Sequence, residues 1–220
     1  MKKLLWMAVF LLLAGCGTTK PTPSWFSTGS SQLDNYKKHY LGGQDKIAAL
    51  EFNDALKEIK KSGDLEILGR AYLIRMALQT AALQDLTSAE YEQIKAVQPS
   101  PANENFYAFL QGKIAQVDEK MLPGQYLNFI EALRRQEADL RLRAIEQLDD
   151  PLSRLIAVGI LLRLGQENEA LLNKAVATAS AEGWKKALIA YLARLQAFYA
   201  AHQEGAKARD IEQRLKLIMD

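Results

Sequence analysis

The sequence predicts an all-α protein, built as an array of antiparallel helical hairpins. Three observations lead to this fold class. Apolar residues recur at helical spacing in successive segments, glycine and proline separate those segments, and no segment alternates strictly between apolar and polar residues as a half-buried strand would. Because 49% of the residues are hydrophobic, the chain can bury a sizeable core.

The first seventeen residues, MKKLLWMAVFLLLAGCG, follow the order of a secretory signal. Lys2 and Lys3 form a basic start, an apolar run covers residues 4–14, and small residues precede Cys16, which is the only cysteine. A transmembrane helix needs about 20 apolar residues, and this run is shorter. A secreted protein could keep a stray cysteine, but an unpaired thiol in an oxidising compartment needs an explanation, which covalent modification would supply.

The segment Leu13-Ala14-Gly15-Cys16 resembles the lipobox of bacterial lipoproteins. The resemblance implies a signal peptide over residues 1–15, cleavage between Gly15 and Cys16, and attachment of fatty acyl chains such as palmitate to Cys16. In enterobacterial lipoproteins an Asp after the cysteine signals retention in the inner membrane. Gly17 stands there in this chain, so the resemblance favours the outer membrane, facing the periplasm, over the inner membrane.

A polar linker separates this cysteine from the rest of the chain. Residues 16–31 are small and polar and include Pro21 and Pro23, which predicts a disordered, flexible tether before a helical body over residues 32–220. Trp25 and Phe26 are the large apolar residues inside the tether. They could dock on the body, contact the lipid interface or contact a partner.

The charge of the mature chain is balanced. The full sequence has 28 Lys and Arg against 26 Asp and Glu, and loss of a leader containing Lys2 and Lys3 leaves equal numbers of each sign. An evenly mixed, formally neutral chain lacks the basic surface that nucleic-acid binding requires. No nucleic-acid partner is therefore expected.

The first helices of the body follow from apolar periodicity. Residues 44–61 carry one apolar face, and Ser62-Gly63-Asp64 supplies a stop and a new N-cap. Residues 65–83 carry two apolar stripes, so this helix should be covered from both sides. The apolar face of the first helix consists of Ala48, Phe52, Ala55, Leu56 and Ile59.

Turn residues divide the remainder. Helices are predicted over residues 86–97 and 102–118, after Pro123-Gly124, and over a charged stretch at residues 134–146 in which a break near Gln136 stays open. Asp150-Pro151 starts a nearly all-apolar helix over residues 152–164, which should be deeply buried. Glycines at 165, 183 and 205 separate the last helices, and residues 206–219 carry a single stripe, which suits the exposed end of a stack.

Part of this pattern resembles the tetratricopeptide repeat, a 34-residue helical hairpin. About half of the chain carries the resemblance, and residues 86–147 depart from it. The resemblance implies a degenerate α-solenoid with an extended groove. First-helix positions match at Leu68, Gly69, Tyr72, Trp184, Ala187 and Tyr191, and second-helix positions at Ala48, Phe52 and Ala55.

No catalytic, cofactor or metal motif stands out. His39 and His202 are the only histidines and lie far apart in the sequence, whereas a zinc site needs three or four ligands. Paired carboxylates such as Asp149 and Asp150 lie at helix starts, where they favour the helix dipole. No cofactor and no enzymatic activity are predicted.

Two hypotheses follow. The first is a membrane-anchored envelope lipoprotein that acts as a helical scaffold and binds another envelope protein or a peptide. Lipoproteins with tetratricopeptide repeats act as secretin pilotins, outer-membrane assembly subunits and regulators of cell-wall enzymes. The second is an envelope hydrolase acting on cell-wall glycan, which would need two carboxylates about 5–10 Å apart. Candidate groove residues, which could instead pack between helices, are Tyr72, Arg75, Tyr126, Tyr191 and Tyr199.

Overall fold

The described part of the chain is all-helical. The computed structural model describes residues 22–135 and 137–219, which contain eleven α-helices, three short 3₁₀ turns and no strand. This confirms the predicted all-α class. The helices are α1 (Ser24–Leu41), α2 (Asp45–Lys60), α3 (Leu65–Ala81), α4 (Ala89–Val97), α5 (Pro101–Leu110), α6 (Leu127–Arg135), α7 (Ala138–Glu146), α8 (Pro151–Arg163), α9 (Glu169–Ala181), α10 (Lys185–Ala201) and α11 (Gly205–Met219).

The helix starts follow the N-caps in the sequence. The Asp64 carboxylate accepts hydrogen bonds from the backbone N–H groups of Glu66 and Ile67 at 2.8 and 3.2 Å, and α3 begins one residue later. The Asp150 carboxylate accepts from Ser153 N at 2.8 Å, with Pro151 as the first residue of α8. These bonds satisfy backbone donors that have no partner inside a helix.

Helices α3 and α8 pack against each other at the centre of the molecule. α3 also contacts α1, α2, α4 and α5, and α8 also contacts α7 and α9. The two apolar stripes of α3 are therefore covered from several sides, as its pattern predicts, and the apolar run of α8 is buried along almost its whole length.

The last three helices are connected by short turns and pack in order, α9 on α10 and α10 on α11. Gly165 and Gly183 have positive φ angles of 71° and 66°, the left-handed conformation that commonly ends a helix. Leu215 is the one residue of Gly205–Met219 that is buried, which agrees with the single stripe predicted for the last helix.

Contacts between distant parts of the chain close the molecule. α1 contacts α10, and the ammonium group of Lys186 in α10 pairs with Asp45 and lies 4.0 Å from the centre of the Tyr40 ring. A linear repeat array joins each unit only to its neighbours. The α1–α10 and α3–α8 contacts go beyond that scheme.

The helical body begins earlier than the sequence predicts. α1 starts at Ser24, so residues 24–31 are helical and the predicted flexible tether is wrong over that stretch. The reason is a close approach between helices: Gly29 is buried, and a Cβ atom there would lie 3.1 Å from Ile59 Cγ1 of α2. Residues 16–21 of the tether lie outside the described residues.

The predicted helix over residues 102–118 is too long. α5 ends at Leu110, Gly112 has a φ of 74°, and the chain continues through 3₁₀ turns at Ile114–Gln116, Glu119–Met121 and Gly124–Tyr126. The helix predicted after Pro123-Gly124 corresponds to α6, which ends at Arg135, and most of the charged stretch at residues 134–146 forms α7, which begins at Ala138. Gln136 lies outside the described residues.

Candidate functional site

The predicted groove residues lie in the core instead. Tyr72, Tyr126, Tyr191 and Tyr199 are between 0% and 7% exposed, so the prediction that they line an open groove is wrong, and they pack between helices instead. A tyrosine ring fills a seam between helices while its hydroxyl reaches a polar atom at the edge. Tyr191 Oη donates to Leu155 O in α8 at 3.0 Å, and Tyr199 Oη donates to Glu169 Oε1 in α9 at 2.8 Å.

Arg75, the fifth predicted groove residue, connects three helices. Its guanidinium lies 5.3 Å from the centre of the Phe52 ring and 5.0 Å from that of Tyr72. It donates to Glu90 Oε2 at 2.8 Å and to Thr87 O at 3.0 Å. The hydrogen bond from Arg75 lowers the pKa of Glu90. Its side chain is 16% exposed, so its contacts are structural rather than available to a partner.

An open cleft lies between the end of α3, the second half of α8 and the exposed side of α10. We call it the α3–α8–α10 cleft, and its volume is about 590 Å³. Pockets that take small ligands or peptide side chains have volumes of about 300–1,000 Å³. The cleft is lined by Thr80, Leu83, Gln84, Asp85, Gly159, Leu162, Arg163, Ala190, Ala193, Arg194 and Ala197.

Small residues give this cleft its shape. Gly159 lets α8 approach the backbone of Thr80, because a Cβ atom at 159 would lie 3.0 Å from Thr80 Cγ2 and closer still to Thr80 O. On α10, Ala193 and Ala197 are exposed and leave room above the helix. The small side chains allow the backbone of a bound segment to come close to the helices.

Charges lie along the cleft beside these small residues. Arg163, in the last turn of α8, is exposed and forms no ion pair within residues 22–135 and 137–219. Arg194 pairs with Glu167 through two bonds, at 2.6 and 2.9 Å, and Asp85 adds a carboxylate. The Thr80 hydroxyl donates to Met76 O at 2.9 Å within its own helix. This arrangement suits binding of a mixed polar and apolar segment.

Two other clefts differ in their chemistry. A cleft of about 720 Å³ is lined by residues 112–116 together with Leu133, Arg141, Leu164 and Gln166, and includes the cations of Lys113 and Arg141. A smaller one of about 360 Å³, the α4–α5 cleft, contains three carboxylates.

The carboxylates of the α4–α5 cleft are Glu92, Glu104 and Asp118. Glu104 lies 3.6 Å from Lys95, and the Asp118 side chain accepts a hydrogen bond from Lys120 N at 2.9 Å. The Tyr107 hydroxyl is hydrogen-bonded to Glu92, so all three carboxylates have partners on the protein. Of the three clefts described, this one is lined by more than one carboxylate.

The two histidines contact neighbouring side chains, and the predicted cleavage and lipidation residues fall outside the described chain. Gly15 and Cys16 lie outside the described residues. The His39 ring contacts the Gln44 side chain, and the His202 ring stacks on Phe198 at 4.1 Å between centroids. Within residues 22–135 and 137–219, no three His, Cys, Asp or Glu side chains cluster as metal ligands would. None of the helices described combines the length and apolar character needed to span a bilayer.

Sequence reasoning missed the residues that line the α3–α8–α10 cleft. Ala190, Ala193 and Ala197 stand at i, i+3 and i+7 of α10, a spacing that places small residues on one helix face. That signal alone does not show whether the face is covered, because coverage depends on α3 and α8. Comparison with known proteins places the chain in no group: no family model, no curated protein and no solved structure matches it.

Proposed function

We propose that this protein is a membrane-anchored lipoprotein of the bacterial cell envelope whose helical body binds a segment of another envelope protein. The sequence Leu13-Ala14-Gly15-Cys16 carries this proposal, because a lipobox after a basic and apolar leader is specific in its order. A cysteine with two or more acyl chains is held stably at a membrane, whereas one chain gives only reversible binding.

The helical body supports a binding role. α8 with α9 and α10 with α11 are consecutive helices joined by short turns, and we interpret them as two hairpins of a degenerate tetratricopeptide-like array. In such arrays the stacked repeats create an extended concave binding surface. Here one helix of each hairpin, α8 and α10, lines the α3–α8–α10 cleft.

The cleft favours a segment with small or apolar side chains on one side and an acidic group near Arg163. Ala193 and Ala197 leave space for close backbone approach, and Leu83 and Leu162 add apolar surface. Arg163 is exposed and pairs with no carboxylate of the described chain. An acidic side chain of the partner would therefore form an ion pair with it.

The binding role is tested by photo-crosslinking in cells. A benzophenone amino acid is placed at Ala193, inside the cleft, and separately at Ala170, which is exposed on α9 outside the cleft. We expect a discrete crosslinked envelope protein from position 193 and none from position 170. Equal crosslinking from both positions, or none from either in an intact membrane, would show that the cleft is not the binding surface.

The anchor is tested separately. The Cys16→Ala variant should lose labelling by a radioactive or clickable fatty acid and accumulate as the uncleaved precursor, because the modified thiol is required before cleavage in a lipoprotein. Labelling that persists in this variant, or a mature amino end with an unmodified Cys16 by mass spectrometry, would refute the anchor.

An envelope hydrolase acting on cell-wall glycan is the second candidate, favoured by the carboxylates of the α4–α5 cleft. Such enzymes use one carboxyl group as a general acid and a second as a base or nucleophile. Purified protein should then release soluble fragments from cell-wall glycan, and Glu104→Gln and Glu92→Gln should each abolish release. Absence of any release by the unsubstituted protein would exclude this candidate for that substrate.

A further inference from the structure

An aromatic pair begins the first helix. Trp25 and Phe26 lie in the first turn of α1 with their ring centroids 5.7 Å apart and their planes at 86°. Phe26 is 47% exposed, and Trp25 is not among the side chains that pack against the core. Trp25 is partly buried, so the pair presents apolar surface at one end of the body mainly through Phe26 and the outer part of Trp25.

The chain outside the structure leads directly to this pair. Trp25 is nine residues after Cys16, with Pro21 and Pro23 between them. A fully extended segment of that length reaches about 30 Å, and a flexible one spans roughly 15–18 Å on average. If Cys16 is held at the bilayer by its acyl chains, a linker of this length keeps the aromatic pair within about 30 Å of the membrane and allows it to reach the headgroup region.

Cationic side chains lie at the same end of the body. Gly29 of α1 lies beside Ala55, Glu58 and Ile59 of α2, so the last turn of α2 is next to the beginning of α1. That turn carries Lys60, which is exposed and forms no ion pair within the described residues, while neighbouring Lys61 pairs with Glu58 at 2.6 Å. A lysine at the same end of the body as this aromatic pair suits an anionic membrane surface.

We propose that Trp25 and Phe26 insert into the headgroup region of the membrane to which Cys16 is anchored, with Lys60 facing the lipid phosphates. This inference rests on the proposed lipid anchor. It assigns the first turn of α1 as the membrane-facing end of the body. Aromatic rings with an apolar body are stable at the boundary between hydrocarbon and water, which gives the pair a location that neither the core nor bulk water provides.

The test uses the lipidated full-length product in vesicles of phosphatidylethanolamine and phosphatidylglycerol. Trp6 belongs to the leader, so the processed chain retains Trp25 and Trp184 as its tryptophans. In a Trp184→Phe background, we expect phospholipids brominated in the upper acyl chain to quench Trp25 fluorescence at least twofold. In the matched Trp25→Phe protein, Trp184 packs against the core and should keep its emission.

Flotation of the vesicles distinguishes failure of the lipid anchor at Cys16 from failure of the aromatic insertion. Protein that floats with the vesicles but shows no quenching of Trp25 retains its anchor and overturns the insertion, leaving the pair to a protein partner. Protein that fails to float overturns the anchor and, with it, this inference. The Phe26→Ser variant should float, keep its helical circular dichroism and lose a large part of the quenching, because Phe26 contributes apolar surface outside the core.

Discussion

Gly159 sets the distance between the two central helices. A Cβ atom at this position would lie 3.0 Å from Thr80 C and 3.0 Å from Thr80 Cγ2, and closer still to Thr80 O. Since two of these three atoms belong to the backbone of α3, they cannot move aside by a change of rotamer. The same close approach forms the floor of the α3–α8–α10 cleft.

We expect Gly159→Ala to lower the free energy of unfolding by about 1–3 kcal/mol, because overpacking a tight contact forces the helices apart. Urea unfolding followed by circular dichroism measures the change. Gly124→Ala is the matched control, since a Cβ atom there meets nothing within 4 Å, and its effect should stay within about 0.5 kcal/mol. An alanine at 159 that leaves stability unchanged would contradict the close packing of α3 on α8.

At the scale of elements, the end of α5 depends on a side chain inside that helix. Asn105 is 7% exposed, and its amide group donates to Asp118 O at 2.9 Å and accepts from Asp118 N at 2.6 Å. The amide thus both donates to and accepts from the backbone of one residue, as paired residues of adjacent strands do. These two bonds hold the chain after Gly112 against α5. They explain why the polypeptide folds back where apolar periodicity alone predicts a longer helix.

Asn105→Ala should destabilise the protein by about 1–3 kcal/mol, since it removes the two part-buried hydrogen bonds between the Asn105 side chain and the backbone of Asp118. Hydrogen exchange of the Asp118 amide should accelerate at the same time. Asn128→Ala is the control, because Asn128 is exposed and its amide donates to the side chain of Gln147, not to the backbone, at 3.2 Å. If the Asp118 amide exchanges equally slowly in both variants, Asn105 does not hold this segment.

At the scale of the whole molecule, tyrosine burial is general. The chain has 8 tyrosines, and burial is the largest cause of a raised pKa in every one of them. Burial raises the pKa of Tyr40 and of Tyr126 to about 12. The folded chain thus holds phenol protons more tightly than the unfolded chain, whose tyrosines ionise near pH 10.

The tyrosines should therefore leave the free energy of unfolding unchanged below pH 10 and lower it steeply above pH 10. The reason is that tyrosine ionisation stabilises the unfolded state, whereas the folded state retains its phenol protons. We expect tyrosinate absorbance at 295 nm to rise in a single step that coincides with loss of helical circular dichroism. In concentrated denaturant, the same absorbance should rise gradually around pH 10. A gradual rise around pH 10 with the helices intact would contradict the burial of these side chains.

Contacts between distant segments give the molecule its shape. Thr80 and Gly159 are joined in the α3–α8 seam, and Asp45 pairs with Lys186 across most of the chain. These contacts turn a succession of helices into one closed body and place the end of α3 beside α8 and α10. The cleft exists because of this closure.

Local signals in the sequence determined the helical class, the apolar face of α2 and the starts of α3 and α8. Periodicity and N-caps such as Asp64 and Asp150 act within a few residues, so they can be read without knowing what packs nearby. The leader motif ending at Cys16 is equally local, and the lipid anchor stays a prediction from it.

Only the tertiary structure decided which side chains are covered. Tyr72 and Tyr191 have the same amphipathic chemistry in a groove or in a seam, and their burial depends on helices brought together from far along the chain. The early start of α1 depends likewise on Gly29 meeting α2, and the end of α5 on Asn105 meeting Asp118. The physical reason is the same in each case: packing and desolvation are set by non-local neighbours, which no window of sequence contains.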